Sequence, residues 1–387
     1  MTLFNTCIKA YVNGNLGDDL FIHVLCSRYP AVNFVMCGEK RFRKNFSSIE
    51  NLKYFSVDAV WMKWIFRFIN LVPWTLNHCR KILNKKEKYS MYRCFEFLSH
   101  HSDHNILISG SLFIEVDNKA FEIGPFYKNE IIYYQLHPYV IGCNFGPFHN
   151  EGYRSFYEMC FRDAKYICFR DKYSCALFPG MEIEYGPDIL FAYDTRSYIK
   201  PGIRNYVLIS VIALQKDGFS DIEAERAYEN ALIVLVQRLR ERGEKVVILG
   251  FCKEQRDNEI ICSIVKHFSG EKGLLIYNYP DITYQEAVGF IAEAKFIVAS
   301  RYHAMILGWL YGKRVLPIVY NQKMQHVIDD LIPDIPYTTI EELKKSQIEF
   351  LYEKYKEATQ HKFIPDVSQA AEKAQKHFEK LDRLFQI

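Results

Sequence analysis

Three residues in the last third of this sequence gather chemistry into a small space: Arg301, His303 and Lys323. A guanidinium grips planar oxyanions through two parallel N–H donors, which a lysine does less well. An imidazole with an ordinary pKa near ~6.5 exchanges protons at neutral pH. An ammonium adds a point charge. Together they form a cationic, proton-donating corner suited to a phosphate or a carboxylate, and Ser300 adds a hydroxyl beside them. Each also has an ordinary reading: Arg301 as an ion pair at a helix start, His303 as a satisfied core histidine, Lys323 as a surface lysine.

The pattern around these residues says what must position them. Residues 296–299 are an apolar run that reads as a buried parallel strand. Residues 304–311 read as a packed helix stopped by Gly312, and 315–320 as a second strand ending in Asn321-Gln322-Lys323. The polar groups therefore fall at strand carboxyl ends and at a helix N-terminus, where open α/β sheets bind ligands and favour anions.

The same arrangement recurs upstream. A strand at 7–12 ends in Asn13-Gly14-Asn15-Leu16-Gly17-Asp18-Asp19, followed by a helix. Its Gly-x-x-Gly lacks the full dinucleotide fingerprint. Asp18 and Asp19 either cap that helix or turn a carboxylate toward a cleft, where it can orient a sugar hydroxyl. Asn13 and Asn15 are cleft candidates on the same loop. Further strands end in Ser109-Gly110-Ser111, in Asn144-Phe145-Gly146-Pro147, in Arg170-Asp171 and in Gly186-Pro187-Asp188. Arg170 either reaches an anionic ligand across the cleft or pairs internally with Asp171 or Asp188. Ser109, Gly110 and Asn144 are further candidates for the cleft.

The expected fold class is α/β, with two Rossmann-like domains facing a cleft. The expected boundaries are 1–198 for the first domain, 199–345 for the second, and 346–387 for C-terminal helices that cross back. A polar stretch with Pro201 and Gly202 reads as the linker. Acids and bases nearly balance, at a net charge of +3, which argues against a nucleic-acid partner. The 11 cysteines lie mostly in apolar runs without a CxxC pair, so reduced thiols and a cytoplasmic setting are expected. The first residues read as strand rather than signal peptide, and no apolar run is long enough to span a membrane. No His/Cys/Asp/Glu spacing points to a metal.

Residues 61–88 stand apart: they hold Trp61, Trp64 and Trp74, seven basic residues and one acid, Glu87. An aromatic, basic, non-spanning segment is the pattern of a membrane-interface element, and equally of a helix pair packed on the first domain.

Taken in order, the loop at 13–19, Ser109-Gly110-Ser111, Gly142 to Pro147, Arg170-Asp171-x-x-Ser174, Gly186-Pro187-Asp188, Ser300-Arg301-Tyr302-His303 and Tyr320-Asn321-Gln322-Lys323 resemble the polysaccharide pyruvyltransferase family. The resemblance covers roughly 13–331. It implies a GT-B-like architecture with the site between the domains. It also implies transfer of pyruvyl from phosphoenolpyruvate to two hydroxyls of a sugar as a cyclic ketal, with release of phosphate. On this resemblance phosphoenolpyruvate is a co-substrate and no cofactor is needed. Arg301, Lys323, Arg170 and Ser300 bind it, and His303 and Asp18 are catalytic, His303 as a histidinium that protonates the methylene carbon. The acceptor is expected to be a sugar such as galactose or mannose, carried on a polyprenyl diphosphate at the cytoplasmic membrane face. One departure is plain: the family often carries an arginine after the first strand of the second domain, and here nothing basic appears before Lys216. Two alternatives stay open, a nucleotide-sugar glycosyltransferase and a non-catalytic glycan-binding protein on the same fold.

Overall fold

The computed structural model of the chain describes residues 4–56, 91–115, 121–214, 221–268, 273–360 and 365–386. Two parallel sheets organise it. The first has seven strands in the order β3-β2-β1-β4-β5-β6-β7: β1 (Phe4–Lys9), β2 (Phe34–Gly38), β3 (Leu52–Ser56), β4 (Ser102–Ile108), β5 (Tyr139–Cys143), β6 (Tyr166–Phe169) and β7 (Glu184–Tyr185). The second has six in the order β10-β9-β8-β11-β12-β13: β8 (Tyr206–Val211), β9 (Lys245–Gly250), β10 (Leu274–Asn278), β11 (Phe296–Ala299), β12 (Val315–Val319) and β13 (Thr338–Thr339).

Each sheet reverses its winding once, between β1 and β4 in the first and between β8 and β11 in the second. At such a reversal the following helices leave toward opposite faces, so a crevice opens beyond the strand carboxyl ends. The central strands are continuous apolar runs because helices cover both faces. Every residue of β8 and β11 is buried, and each large aliphatic chain so buried contributes about 1.5–3 kcal/mol.

Local signals set the helices. In Leu16–Arg28 the Asn15 side chain accepts from Gly17 N–H, Asp18 and Asp19 fill the first turn, and Arg28 ends the helix. Those charges complement the helix dipole. Thr283 with Glu286, and Thr339 with Glu342, form capping boxes on two helices of the second domain. Gly312, at φ +63°, turns the chain after the Tyr302–Leu310 helix.

Three differences from the sequence reading have physical causes. The first strand spans Phe4–Lys9 rather than 7–12, because the chain leaves the ladder early to reach the other domain. There Leu16 N–H donates to Phe251 O at 3.0 Å, and Asn15 bridges Cys252. The expected helix at 340–355 is broken into Ile340–Lys345 and Phe350–Gln360. The turn between them brings Glu349 onto Arg238. Finally, residues 367–385 are not one helix but Ser368–Ala374, a 3₁₀ turn and Glu379–Phe385.

Those last elements pack on the first domain, so the chain ends where it began. Arg28 Nε and Nη2 donate to the two oxygens of Asp382 at 2.9 and 2.7 Å, and Tyr29 Oη donates at 2.8 Å. His377 Nε2 lies 2.9 and 2.8 Å from the carbonyls of Gly186 and Pro187, while Gly142 N–H donates to its Nδ1. The expected interface element at 61–88 and Lys216 lie outside the described residues. Asp382→Ala removes three hydrogen bonds at once. It should lower stability by about 1–3 kcal/mol in urea unfolding; an unchanged midpoint would mean that this anchor contributes nothing.

Candidate active site

The two winding reversals face each other, and the polar residues gather there. From the first domain come Asp18 at the start of the Leu16–Arg28 helix, Gly110 and Ser111 beyond β4, Asn144 beyond β5, Arg170 beyond β6, and Asp188 beyond β7. From the second domain come His303, in the first turn of the Tyr302–Leu310 helix, and Lys323, in the first turn of Gln322–Leu331.

Arg170 is the centre of the first-domain half. It is 3% exposed. Nη1 donates to Asp188 Oδ2 at 2.8 Å, and Nη2 donates to Asn144 Oδ1 at 2.7 Å and Ser111 Oγ at 3.1 Å. Its plane also lies over the Tyr302 ring, 4.5 Å from the centroid. Asp188 is held in turn by Leu190 N–H at 2.9 Å. Of the two readings open for Arg170, the internal pair with Asp188 is the one observed.

Arg301 is likewise committed. Nε donates to Asp257 Oδ2 at 3.2 Å and to Val211 O at 3.3 Å. Its terminal nitrogens contact Asp257 Oδ1 and Gln255 Oε1. Arg301 was expected to grip phosphoenolpyruvate; instead its fork is spent on a buried carboxylate, the ion-pair reading. Ser300 is corrected too. It is fully buried, its hydroxyl accepts from Tyr228 Oη at 2.8 Å, and its N–H donates to Ser210 Oγ at 3.1 Å. It fixes the strand-to-helix turn and does not face the cleft.

His303 crosses the cleft and lies on Gly17. A Cβ at position 17 would stand 1.6 Å from its Nδ1, so only glycine admits the ring. Phe21 and Tyr302 meet it edge-on, at 5.4 and 5.0 Å. Arg170 Nη1 lies 3.5 Å from His303 Nε2, and Asp188 Oδ2 lies 3.8 Å from it. A guanidinium has only hydrogens to present, so the imidazole nitrogen facing it carries a lone pair. Electrostatics agree: burial, then the charges of Arg170, Lys323 and Arg301, hold His303 well below its ordinary pKa. The histidinium anticipated from the sequence is therefore disfavoured, first by burial and then by the three cations nearby.

Asp18 is the opposite case. Among the described residues Gly110 N–H donates to its Oδ1, at 3.4 Å, and no ion pair reaches it. Burial raises its pKa to about 6, against the lowering effects of Arg170, Gly110 N–H and Lys323. Gly110 leaves the room for this approach: a Cβ there would stand 3.2 Å from Asp18 Oδ1 and 3.1 Å from Arg170 Nη1. Asp18, Ser111 and Lys323 are the partly exposed members of the cluster. A ligand entering the cleft meets them first. Lys323 lies 5.9 Å over the Tyr320 ring, and its charge is felt at both Asp18 and His303.

The remaining expected residues have other places. Asp19 is fully buried between the domains, where Tyr279 Oη donates at 2.6 Å and Asn45 Nδ2 at 2.8 Å to its Oδ2. Burial raises its pKa to about 7. It ties the domains together rather than facing a sugar. Asn15 is spent as a helix cap. Asn13 lies half-buried at the mouth and donates to Tyr11 Oη at 3.0 Å. Ser109 is buried, and its Oγ has no partner among the described residues. Asn144 is buried and orients Arg170. Four contributors went unselected in the sequence: Ser111, Asp188, Gly17 and Asp257. The first two sat in strand-end loops, which was a usable signal. Asp257 read as an ordinary acid at a helix start, and nothing nearby in the sequence linked it to Arg301. Among the described residues no group of three or more His, Cys, Asp or Glu is placed to hold a metal ion.

This is a GT-B-like molecule: two parallel-sheet α/β domains whose carboxyl edges face one cleft. UDP-GlcNAc 2-epimerase of Methanocaldococcus jannaschii superposes with a TM-score of 0.59 at 8% identity, covering 98% of this chain and 99% of that one. The Anabaena protein Alr3699/HepE, solved with UDP-glucose, gives 0.54 at 9% identity over 98% and 97%. Sucrose-phosphate synthase of Thermosynechococcus elongatus gives 0.54 at 8% over 98% and 99%. At such identities the likeness is one of fold. No curated protein matches the chain in sequence. The family profile of polysaccharide pyruvyl transferases matches residues 15–322, and the chain belongs to that family.

Removing one partner of a buried ion pair strands the other charge, at a cost of about 3–5 kcal/mol. Asp257→Ala should therefore destabilise the protein by that amount in chemical unfolding. A loss below ~1 kcal/mol would mean that Arg301 finds other partners.

Proposed function

We propose that the protein transfers pyruvyl from phosphoenolpyruvate to two hydroxyls of a sugar, forming a cyclic ketal and releasing phosphate, in polysaccharide biosynthesis. Membership of the polysaccharide pyruvyl transferase family supports pyruvyl transfer in general. The observation that carries the finer reading is the facing of Asp18, His303 and Lys323 across one partly open cleft. Lys323 attracts the phosphate. Ser111 and the Gly110 edge leave close-approach room beside it. His303, neutral, takes the proton of an attacking hydroxyl and passes it to the departing phosphate. The reaction so written uses phosphoenolpyruvate as co-substrate and no cofactor.

The decisive experiment is phosphate release from phosphoenolpyruvate against free and lipid-linked galactosides, mannosides and glucosaminides. Turnover is expected with at least one of them, and the product should carry a pyruvate ketal by mass and NMR. His303→Gln should bind phosphoenolpyruvate about as well as wild type yet turn over ~10²–10⁴-fold more slowly. Full activity in that variant would remove His303 from the chemistry. Release of a nucleoside diphosphate from a nucleotide sugar, without use of phosphoenolpyruvate, would favour the glycosyltransferase alternative.

The acceptor is proposed to be lipid-linked and presented at the cytoplasmic membrane face. Support comes from the aromatic, basic composition of residues 61–88. No helix among the described residues is long and apolar enough to cross a membrane. Each basic residue near an anionic leaflet is worth on the order of 1 kcal/mol, and salt screens it. The protein should co-sediment with anionic liposomes at low salt and release at high salt. A variant with Lys85, Lys86 and Lys88 changed to Glu should bind them less. Indifference of the wild type to such liposomes would remove the membrane from the reading.

A further inference from the structure

Resting on that reading, we propose that Asp18, and not His303, is the acid that delivers the proton to the methylene carbon of phosphoenolpyruvate. Among the described residues of the cleft, His303 and Asp18 are the two candidates for that acid. His303 turns toward Arg170 the nitrogen that would have to hold the proton, at 3.5 Å. A proton resting there would sit against a guanidinium that cannot give up its own, so His303 holds one only in passing, between an attacking hydroxyl and the departing phosphate. Asp18 meets no such conflict. Its hydrogen-bond partner among the described residues is one long backbone N–H, too weak to hold a full carboxylate charge, and it is partly exposed at the mouth.

The groups facing Asp18 come from every element around it. Among the described residues they are Arg170 beyond β6, Asp188 beyond β7, Lys323 after β12, the thiols of Cys143 on β5 and Cys252 beyond β9, Asp19 on its own helix, and His303 resting on Gly17. Arg170, paired with Asp188, and Lys323 both oppose its protonation, and Lys323 is the one partly exposed to a ligand in the cleft. A phosphoenolpyruvate phosphate settling on Lys323 neutralises it and brings further negative charge. Binding of the donor thus favours the protonated carboxyl where the proton is needed, consistent with a pKa already raised to about 6.

The step balances. The Asp18 O–H bond breaks, and the C=C electron pair takes its proton to become the new methyl C–H bond. The first sugar hydroxyl bonds to the central carbon, and its proton leaves through His303 with the phosphate as that C–O bond breaks. The second hydroxyl closes the ring, and its proton returns to the Asp18 carboxylate. One donor and one diol give one ketal and one hydrogen phosphate.

Calorimetric titration of phosphoenolpyruvate at pH 7, in buffers of differing ionisation enthalpy, counts protons taken up on binding. Uptake of about one proton is expected for wild type and for His303→Gln, and none for Asp18→Asn. Uptake that vanishes in His303→Gln and persists in Asp18→Asn would overturn the assignment, as would no uptake in wild type despite binding. Failure of wild type to bind phosphoenolpyruvate at all would instead sink the functional reading on which the assignment rests. With an acceptor that supports phosphate release, Asp18→Asn should be slowed by ~100-fold or more and lose the limb where wild-type rate falls as pH rises. Asp18→Glu, which keeps a carboxyl, should recover part of the rate. Unchanged release by Asp18→Asn would refute the proposal even if binding behaves as expected.

Discussion

The carboxylate of Asp257 is the contact on which both halves of the cleft depend. It is fully buried and answers four donors: two on Arg301, and the backbone N–H groups of Phe251 and Cys252. Through Arg301 it fixes the turn that begins the Tyr302–Leu310 helix, two residues before His303. Through Phe251 and Cys252 it fixes the loop onto which Asn15 and Leu16 dock from the other domain. One charge therefore sets both where the imidazole starts and how near the glycine that receives it can come. A buried carboxylate is tolerated only when its hydrogen bonds are this complete.

A similar economy governs the cations. A site for an anion invites arginines, yet Arg170 and Arg301 are both paired with aspartates before any ligand arrives. Such pairs cost desolvation and return little net stability, but they hold planar groups in one orientation. Arg170 shows what that orientation achieves. It aligns Asp188, Asn144 and Ser111 on one side and presents a fixed positive edge to His303 on the other. Lys323 lies nearer solvent than either arginine.

From these charges follows the inversion of proton ownership. Burial and three nearby cations press the imidazole toward its neutral form, while a carboxyl in a poorly hydrogen-bonded, partly buried position has its pKa raised. Pairs of titratable groups driven apart in this way are how active sites separate acid from base. Here the separation arises from placement alone, because each side chain has an unremarkable neighbourhood in the sequence.

How much of this was legible beforehand follows the range of the forces involved. Apolar runs broken by Gly, Ser, Asn and Arg loops are local, so the parallel sheets, the two-domain plan and the gathering of polar residues at strand ends could be read from residue order. The strand at Phe296–Ala299 was found to the residue. Contacts made across long separations could not be read. Arg301 meets Asp257 from 44 positions away, Asp19 meets Tyr279 from 260, and His303 meets Gly17 across the whole cleft. Sequence by itself determined which groups were present at the site and what class of anion they suit. Tertiary structure alone decided which charges were already spent, because burial and pairing are properties of neighbours in space. It thereby also set the opposite pKa shifts of His303 and Asp18.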